Sequence, residues 1–320
     1  MRIRMGYVAM ALGLQDGSPN KTLTYKRYTE LKDDEIRNYK LKDLTKQNLE
    51  ISRRILLYNK ASDIHLYRFT SKLIPLATHA EVLNWDYTDI FKDEFAELGS
   101  LIKDIGTRVS AHPDHFTVIN TPKTDILKAA VADLDYHVRL FEAMNLNEKE
   151  AKLVVHVGGT YGSKAKAADR FIENFRNIDK RLSKRIILEN DDKSFTAKDV
   201  LSICKELSIP MVLDIHHHWC NNDGEKLEDL WEDIYNTWSN EVLTPKIHVS
   251  SPKDNKNIRA HADYVDIEFL MGFLRIAKAI DKDFDIMIEA KMKDTALIKA
   301  MEDLKAMGKV VIIDGGTIEY

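Results

Sequence analysis

The segment KLVVHVGG, residues 152–159, indicates the fold, because an unbroken apolar run ends in a single histidine, His156, followed by a valine and two glycines. A short apolar run of this kind predicts a buried parallel strand. A closed parallel barrel gathers the carboxyl ends of its strands on one face, so polar residues at strand ends are expected to meet there. Five other runs share this feature: VSAHPDH with His112, RIILEND with Glu189, MVLDIHHH with Asp214, PKIHVSS with His248 and DIMIEAK with Glu289.

Apolar runs alternate with amphipathic stretches about eight times, the pattern expected of repeated strand–helix units. Segments 34–61, 125–144 and 265–280 place apolar residues three and four apart, as in helices that cover a barrel. We predict one α/β domain over residues 1–320, a TIM (β/α)8 barrel with a metal cluster at the C-terminal ends of its strands. The tail KVVIIDGG, 309–316, predicts an extra strand or a packing segment. The predicted barrel strands are 2–9, 64–69, 107–112, 152–157, 185–190, 210–214, 245–249 and 284–289.

The composition, with 44% hydrophobic and 31% charged residues, is ordinary for a globular protein. No apolar run approaches the roughly 20 residues that cross a bilayer, and no basic start leads into an apolar stretch, so we expect a cytoplasmic protein without membrane contact. Two cysteines, Cys204 and Cys220, do not favour a disulfide framework or a thiolate metal site. The formal net charge of −4 argues against broad attraction to nucleic acid, but it leaves open a local cleft that contains divalent cations.

Imidazoles and carboxylates without cysteine suit zinc, manganese or iron. The number of candidate ligands exceeds what one ion needs and is sufficient for two or three. Multinuclear sites favour phosphoester cleavage, because the ions together activate water, bind the phosphate oxygens and stabilise the leaving oxyanion. Hydrolysis of a phosphodiester is therefore the leading hypothesis. The nine candidate ligands are His79, His112, His156, Glu189, Asp214, His217, His248, His261 and Glu289.

Other histidines have a structural interpretation or an ambiguous one. His65 begins a predicted strand and His137 lies within a predicted helix, so both are expected to be structural. In the triplet 216–218, neighbouring side chains of an extended strand would point to opposite faces, and at most two could meet one ion. The alternation lapses where the chain turns into a loop, so periodicity does not choose among the three.

Several segments, in this order and at these spacings, resemble the UV damage endonucleases over nearly the whole chain. They are LIPLATH, SAHPDHF, VVHVGGTYGSK, LENDD, VLDIHHH, PKIHVSS and IEAK. The resemblance implies a TIM barrel related to endonuclease IV and a three-metal cluster, usually of manganese. It also implies nicking immediately 5′ to cyclobutane dimers, (6-4) photoproducts and abasic sites in double-stranded DNA.

Residue by residue, the resemblance implies the same nine ligands and favours His217 within the triplet. It places Lys246 at the metal site, where the family's lysine can be carboxylated. We assign catalytic roles to Glu189, Lys246, His248 and Glu289. No protein partner is implied.

The chain departs from the family in the loop that probes damage, where His115-Phe116 stands in place of a Gln-Tyr pair. Phe116 can still act as an apolar wedge between base steps. Tyr7 matches a tyrosine near the lesion, whereas Met10 replaces an asparagine and puts its phosphate contact in doubt. Candidate phosphate contacts are Arg68, Lys253, Lys256 and Lys291, of which Lys291 would share a strand face with Glu289 if that strand runs far enough.

Two alternative functions fit the same residue types. A sugar isomerase on this fold would hold two divalent ions with His, Asp and Glu, and the fold alone does not distinguish it from a nuclease. A noncatalytic module that binds damaged DNA through metal ions is the second alternative. It would bind irradiated duplex without cutting it.

Overall fold

The computed structural model describes residues 1–79, 81–82 and 85–320. Strands β1 to β8 are parallel and follow one another around a barrel, which closes where β1 pairs with both β8 and β2. The predicted TIM barrel is therefore confirmed. The strands are β1 Arg2–Val8, β2 Leu66–Phe69, β3 Arg108–Ala111, β4 Ala151–His156, β5 Ile186–Glu189, β6 Met211–Asp214, β7 Lys246–Val249, β8 Phe284–Ile288, β9 Val311–Ile312 and β10 Thr317–Glu319.

The C-terminal tail forms strands, which agrees with the first of the two predictions for 309–316, an extra strand or a packing segment. β9 and β10 pair antiparallel, and β10 pairs antiparallel with the first half of β1, from Arg2 to Arg4. The second half of β1, from Gly6 to Val8, pairs with β2. The tail therefore covers the part of β1 that the barrel leaves unpaired on that edge.

Helices lie between successive strands. Good capping residues start several of them: Asp33 accepts a hydrogen bond from the backbone N–H of Ile36 at 2.8 Å, and Thr196 forms a capping box with Asp199. None of the helices in the described ranges is both long and apolar enough for a bilayer crossing. The helices are α1 Tyr25–Thr29, α2 Asp34–Ala61, α3 Tyr87–Ile90, α4 Lys92–Asp104, α5 Thr124–Ala143, α6 Lys164–Asn177, α7 Lys180–Ser183, α8 Ala197–Leu207, α9 Ile215–Cys220, α10 Leu227–Asn236, α11 Ile267–Ala277 and α12 Lys293–Met307.

Alternation along each strand separates two kinds of side chain. Outward residues such as Ile3, Met5 and Leu153 join the main apolar core between the strands and the helices. Inward residues include Val154 and Ile187, which pack in a separate apolar cluster inside the barrel. The barrel is filled with side chains, so functional groups can project only from its ends.

The N-terminal end of the barrel is closed by ion pairs to the buried carboxylate of Asp285. Asp285 accepts hydrogen bonds from Arg4 Nε at 2.8 Å and from Arg108 Nη1 at 2.6 Å. The ring of Trp238 lies 5.3 Å from the Arg108 guanidinium, and its Nε1 donates to the carbonyl oxygen of Met211 at 2.6 Å. These charges are satisfied within the protein, which leaves the opposite end for chemistry.

Candidate metal centre

Glu189 is the centre of the polar group at the C-terminal end of the barrel. It is the last residue of β5 and only 1% exposed. His248 Nδ1 donates to its carboxylate at 2.8 Å, and the ring nitrogens of His112 and His156 lie 3.1 Å and 3.6 Å from it. His217 Nδ1 is 3.7 Å away. Side chains from β4, β7, the end of β3 and the helix that follows β6 therefore converge on one carboxylate.

Three groups of potential metal ligands can be drawn around Glu189, each with ligand atoms within 4.8 Å of one another. Seven of the nine predicted ligands belong to these groups, and Glu189 belongs to all three. A carboxylate shared in this way can bridge ions, because its two oxygens can bind different metals. The groups are His112, His156 and Glu189; Glu189, Asp214 and His217; and Glu189, His248 and Glu289.

The donor set fits metal ions because polar atoms buried in it have no partner within the described residues. These atoms are His156 Nδ1, Asp214 Oδ2 and His248 Nε2. An unpaired buried donor or acceptor costs roughly 1–3 kcal/mol, so such atoms call for a ligand. A divalent cation held by Glu189, Asp214 and His217 would satisfy the Asp214 oxygen. The nitrogens of His156 and His248 that face Glu189 are the opposite ones of each ring, Nε2 and Nδ1.

Backbone contacts orient three of the imidazoles. His112 Nδ1 donates to the carbonyl oxygen of Pro113 at 2.9 Å, His217 Nδ1 to that of Asn190 at 3.0 Å, and His261 Nδ1 to that of Glu289 at 2.7 Å. Each bond leaves Nε2 as the ring nitrogen available to a metal ion. Histidine ligands of metals commonly donate their second ring N–H in this way, which fixes the tautomer and the ring orientation.

Carboxylates and imidazoles in the site shift one another's pKa values. Burial would raise the pKa of Glu189, but the surrounding histidines, His248 first, hold that pKa well below its ordinary value. Burial lowers the pKa of His217, yet the carboxylates of Asp214 and Glu189 raise it to about 9. Protons and metal ions therefore compete for this site, since a coordinating imidazole must be neutral.

Two further basic side chains lie inside the barrel beside the ligands. Lys246, two residues before His248 in β7, is buried, and its Nζ donates to Ser110 Oγ at 3.1 Å. Burial lowers its pKa well below the ordinary value, and Arg108 and Arg68 lower it further. Arg68, at the end of β2, forms an ion pair with Glu289.

The triplet His216, His217 and His218 lies in helix α9, because β6 ends at Asp214 and the chain turns directly into the helix. Asp214 caps that helix and accepts a hydrogen bond from the backbone N–H of His217 at 2.8 Å. His216 is held by Ser250 Oγ at 2.6 Å and by the carbonyl oxygen of Ile258 at 2.8 Å, so both its ring nitrogens are occupied. Only His217 of the three belongs to the ligand groups found in the described residues.

His79 and His261 stand outside the three ligand groups of the described ranges. His261 is close, with its ring 6.1 Å from that of His217 and its Nδ1 bound to Glu289. His79 stacks on Tyr25, with ring centroids 4.0 Å apart, and its Nδ1 accepts from the backbone N–H of Glu81. Their assignment as ligands stays a prediction.

The structure does not support a DNA contact by Tyr7. Its side chain is fully buried and points out of the barrel towards α2, where its hydroxyl donates to Asn59 Oδ1 at 2.6 Å. An outward position follows from the alternation of β1, in which Tyr7 lies on the same face as Ile3 and Met5. This residue supports the wall of the barrel instead.

The other predicted DNA contacts lie at the surface or at the site. His115 and Phe116 are exposed in the loop after β3, with their rings 5.9 Å apart. Lys253, Lys256 and Lys291 are also exposed. The argument for Lys291 does not hold, however, because β8 ends at Ile288 and the strand alternation does not reach it.

Lys293 was missed by the sequence analysis. It starts α12 with a left-handed backbone, φ 52°, and is partly buried. Burial lowers its pKa, Arg68 lowers it further and Glu289 raises it, so its charge lies near both groups. Lys293 lies beyond the end of β8, so strand alternation does not predict the direction of its side chain. Its positive φ could not be predicted either, because lysine rarely adopts that backbone conformation.

Comparison with known proteins agrees with this architecture. The profile of the family UV-endonuclease UvdE matches residues 3–320. The UV DNA damage endonuclease of Bacillus cereus (strain 03BB102) is 43% identical over 320 residues, which is 100% of each chain. The crystal structure of SacUVDE superposes with a TM-score of 0.83 and 31% identity, covering 96% of this chain and 99% of the other. Endonuclease IV from Thermus thermophilus, with a TM-score of 0.52, 11% identity and coverage of 89% and 91%, shares the fold.

Proposed function

Because the chain belongs to the UV-endonuclease UvdE family, we propose that it cuts double-stranded DNA immediately 5′ to cyclobutane dimers, (6-4) photoproducts and abasic sites. The family makes the chain a DNA-repair endonuclease, an enzyme that cleaves DNA. The sugar isomerase and the noncatalytic DNA-binding module are therefore set aside. We propose the position of the cut and its chemistry in addition to this family assignment.

The observation that carries the proposal is the single buried carboxylate of Glu189 shared by three ligand groups. Such a carboxylate suits a centre of two or three divalent ions, and we propose manganese, with zinc or iron as the other candidates. Bound there, the ions would lower the pKa of a water molecule and neutralise charge on the phosphate and on the leaving oxygen. We propose in-line attack by water on the phosphorus, which leaves a 3′-hydroxyl on the upstream fragment and a 5′-phosphate on the fragment that carries the lesion.

The residues of the chain prepare this end of the barrel for a phosphodiester. Nδ1 contacts to backbone carbonyls hold His112, His217 and His261 in one tautomer before any ligand arrives. Arg68 keeps Glu289 ionised through their ion pair and offers a cation for a phosphate oxygen. Glu189 and His248 are almost inaccessible to solvent, so charges in the site interact in a low dielectric.

Lys246 has an environment that suits carboxylation. Its buried amine has a pKa well below the ordinary value, so a neutral amine is available to form a bond from Nζ to carbon dioxide with loss of a proton. The product carries a negative charge and would join Glu189 among the anionic ligands. We propose this modification on the resemblance described above. A mass increase of the intact, unheated protein that disappears after acid treatment would support it.

Damage recognition is proposed for the loop after β3. Phe116 is 49% exposed although it is a large aromatic residue. A dimer or an abasic site stacks and pairs poorly, so extruding the damaged nucleotides costs less than in intact DNA. An apolar wedge at Phe116 would therefore favour damaged sites through deformability and would read no base sequence.

A duplex that carries one cyclobutane dimer, labelled at its 5′ end, tests the proposed function. Incubation with manganese should give one labelled fragment that ends in a 3′-hydroxyl directly before the dimer. EDTA should abolish it, and the same duplex without the dimer should stay intact. A cut 3′ to the lesion, equal cutting of the undamaged duplex, or cutting that persists in EDTA would contradict the proposal. Metal analysis of the purified protein would identify the ions.

A further inference from the structure

The loop that carries Phe116 combines an exposed tip with a buried, hydrogen-bonded base. We define the probe loop as residues 113–121. Its tip, His115 and Phe116, is exposed, but Thr117, Ile119 and Asn120 directly after it are buried. The chain therefore re-enters the protein one residue after the aromatic side chain. Loops of this kind can be rigid, because the backbone at the base is fixed while the tip projects into solvent.

One helix holds the base of the probe loop. Thr117 Oγ1 donates to the carboxylate of Asp133 in α5, and both residues are only 5% exposed. One turn later, His137 Nδ1 donates to the backbone carbonyl of Asp133 at 2.8 Å, and its ring is buried. Burial lowers the pKa of His137, which disfavours a charged ring, and raises the pKa of Asp133.

The same helix and a serine join the probe loop to the loop that follows β2. Tyr136, between Asp133 and His137, accepts a hydrogen bond at its hydroxyl from the backbone N–H of Ile74 at 3.1 Å. Ser71 Oγ donates to Asp114 Oδ1 at 2.9 Å, directly before the tip. The side chains of Asp133 and Tyr136 therefore hold two loops, the one that follows β3 and the one that follows β2.

Helix α6 holds the far end of the probe loop. Asn174 Nδ2 donates to the carbonyl oxygen of Ile119 at 2.7 Å, and Arg170 Nε donates to that of Asn120 at 2.6 Å. The Asn120 side chain donates to the carbonyl oxygen of Gly159, after β4, at 2.8 Å. These contacts fix the loop on both sides of the tip, whereas the tip itself is left exposed.

We infer that Thr117 and Asp133 are positioning residues for damage recognition, which hold the probe loop so that Phe116 enters the duplex without further ordering. The inference rests on the wedge role proposed above. A side chain pressed between base steps must resist the restacking of those steps, and a mobile loop would lose conformational entropy on entry. The side-chain hydrogen bonds that hold the probe loop, which we call the clamp, form during folding and therefore remove that entropic cost from the binding step. Neither residue belongs to the metal-ligand groups, so the clamp acts on binding and leaves the chemistry unchanged.

The test replaces Thr117 by Val, which keeps the shape and removes the hydroxyl, and by Ser, which keeps the hydroxyl. With a duplex carrying one cyclobutane dimer, Thr117→Val should raise KM about 3- to 10-fold, the loss expected for one buried hydrogen bond. The single-turnover rate at saturating duplex and the manganese content should stay within about 2-fold of the unmodified protein. Thr117→Ser should restore KM.

A matched control is Thr237→Val, because the hydroxyl of Thr237 accepts a hydrogen bond from the backbone N–H of Met211 at 2.9 Å at the opposite end of the barrel. It should leave KM unchanged. A double variant with Phe116→Ala connects the clamp to the wedge. If Thr117 acts through Phe116, Thr117→Val should add nothing to the KM of Phe116→Ala.

The outcomes separate the clamp from the wedge. If Phe116→Ala leaves KM unchanged, the wedge proposal fails and the clamp with it. If Phe116→Ala raises KM but Thr117→Val does not, or if the two effects add, or if serine does not rescue, only the clamp is overturned. Should Thr117→Val not fold, Ser71→Ala removes the contact to Asp114 at a partly exposed position and should also raise KM. An unchanged KM in that variant would overturn the clamp as well.

Discussion

Replacing Glu189 by Gln tests the centre of the site with the smallest change of shape. The amide keeps one oxygen, but it loses the negative charge and presents an N–H₂ group to the surrounding imidazoles. Removing one partner from a buried charged group costs on the order of 3–5 kcal/mol. At 1.36 kcal/mol for each tenfold change, this corresponds to a loss of metal affinity on the order of 10²–10⁴-fold. All three ligand groups lose their shared member, so more than one ion should be affected.

The assay has three parts. Equilibrium dialysis measures manganese per chain, nicking of UV-irradiated supercoiled plasmid measures cleavage, and fluorescence anisotropy with a dimer-containing duplex measures binding. Glu189→Gln should hold less metal and lose cleavage at manganese concentrations that saturate the unmodified protein. Damaged-duplex binding should be retained in part, because Phe116 and the exposed lysines lie outside the site.

Glu241→Gln is the matched control, because Glu241 accepts a hydrogen bond from buried Lys152 at 2.6 Å in an ion pair away from the ligand groups. The control should bind metal and cut irradiated plasmid normally, with some loss of stability. Full nicking by Glu189→Gln, together with an unchanged manganese content, would refute the role of Glu189 as the shared ligand.

Three further predictions concern the triplet, the packing of α4 and the tail. His217→Gln should lower the metal content, whereas His216→Gln should keep the metal and lower stability by about 1–3 kcal/mol, because it breaks both hydrogen bonds of a buried ring; the reverse pattern would exchange their roles. Gly99→Ala should destabilise the protein by about 1–3 kcal/mol in urea unfolding, because a Cβ there would lie 1.8 Å from the Met144 carbonyl oxygen. The control Gly272→Ala, with open space around it in α11, should be neutral or stabilising. Burial raises the pKa of Asp314, but bonds from Gly316 and His65 more than offset it and keep the pKa below its ordinary value. Its contribution is therefore present above the unfolded pKa and lost as pH falls through the folded one. Asp314→Asn should cost about 1 kcal/mol at pH 7, and the difference should start to shrink only as pH falls below the unfolded pKa of about 4; a difference already lost at pH 5 would count against this account.

Much of the site could be predicted from the sequence because metal ligation needs particular residue types at strand ends. His112, His156, Glu189, Asp214, His248 and Glu289 each end or follow an apolar run, and the parallel barrel makes those ends neighbours. The ligand positions can therefore be predicted from two local features, an apolar run and the polar residue that ends it.

Two expectations failed because they concerned the direction of a side chain. Lys291 was expected to share the face of Glu289 if the strand ran that far, but β8 ends at Ile288, before Glu289, and the alternation stops there. Tyr7 follows the alternation of β1 and therefore points out of the barrel towards α2. Resemblance to a family motif gives a residue's place in the chain, but it does not give the direction of its side chain.

The sequence by itself determined the barrel, its eight strands and the convergence of imidazoles and carboxylates, because periodicity and strand-end chemistry are local properties of the chain. Only the tertiary structure decided that Glu189 is shared by three ligand groups, that His216 is held by Ser250 and Ile258, and that Asp133 holds the probe loop through Thr117. These depend on distances between residues 16 to 100 positions apart. Such distances are set by how helices and strands pack, which no local pattern encodes.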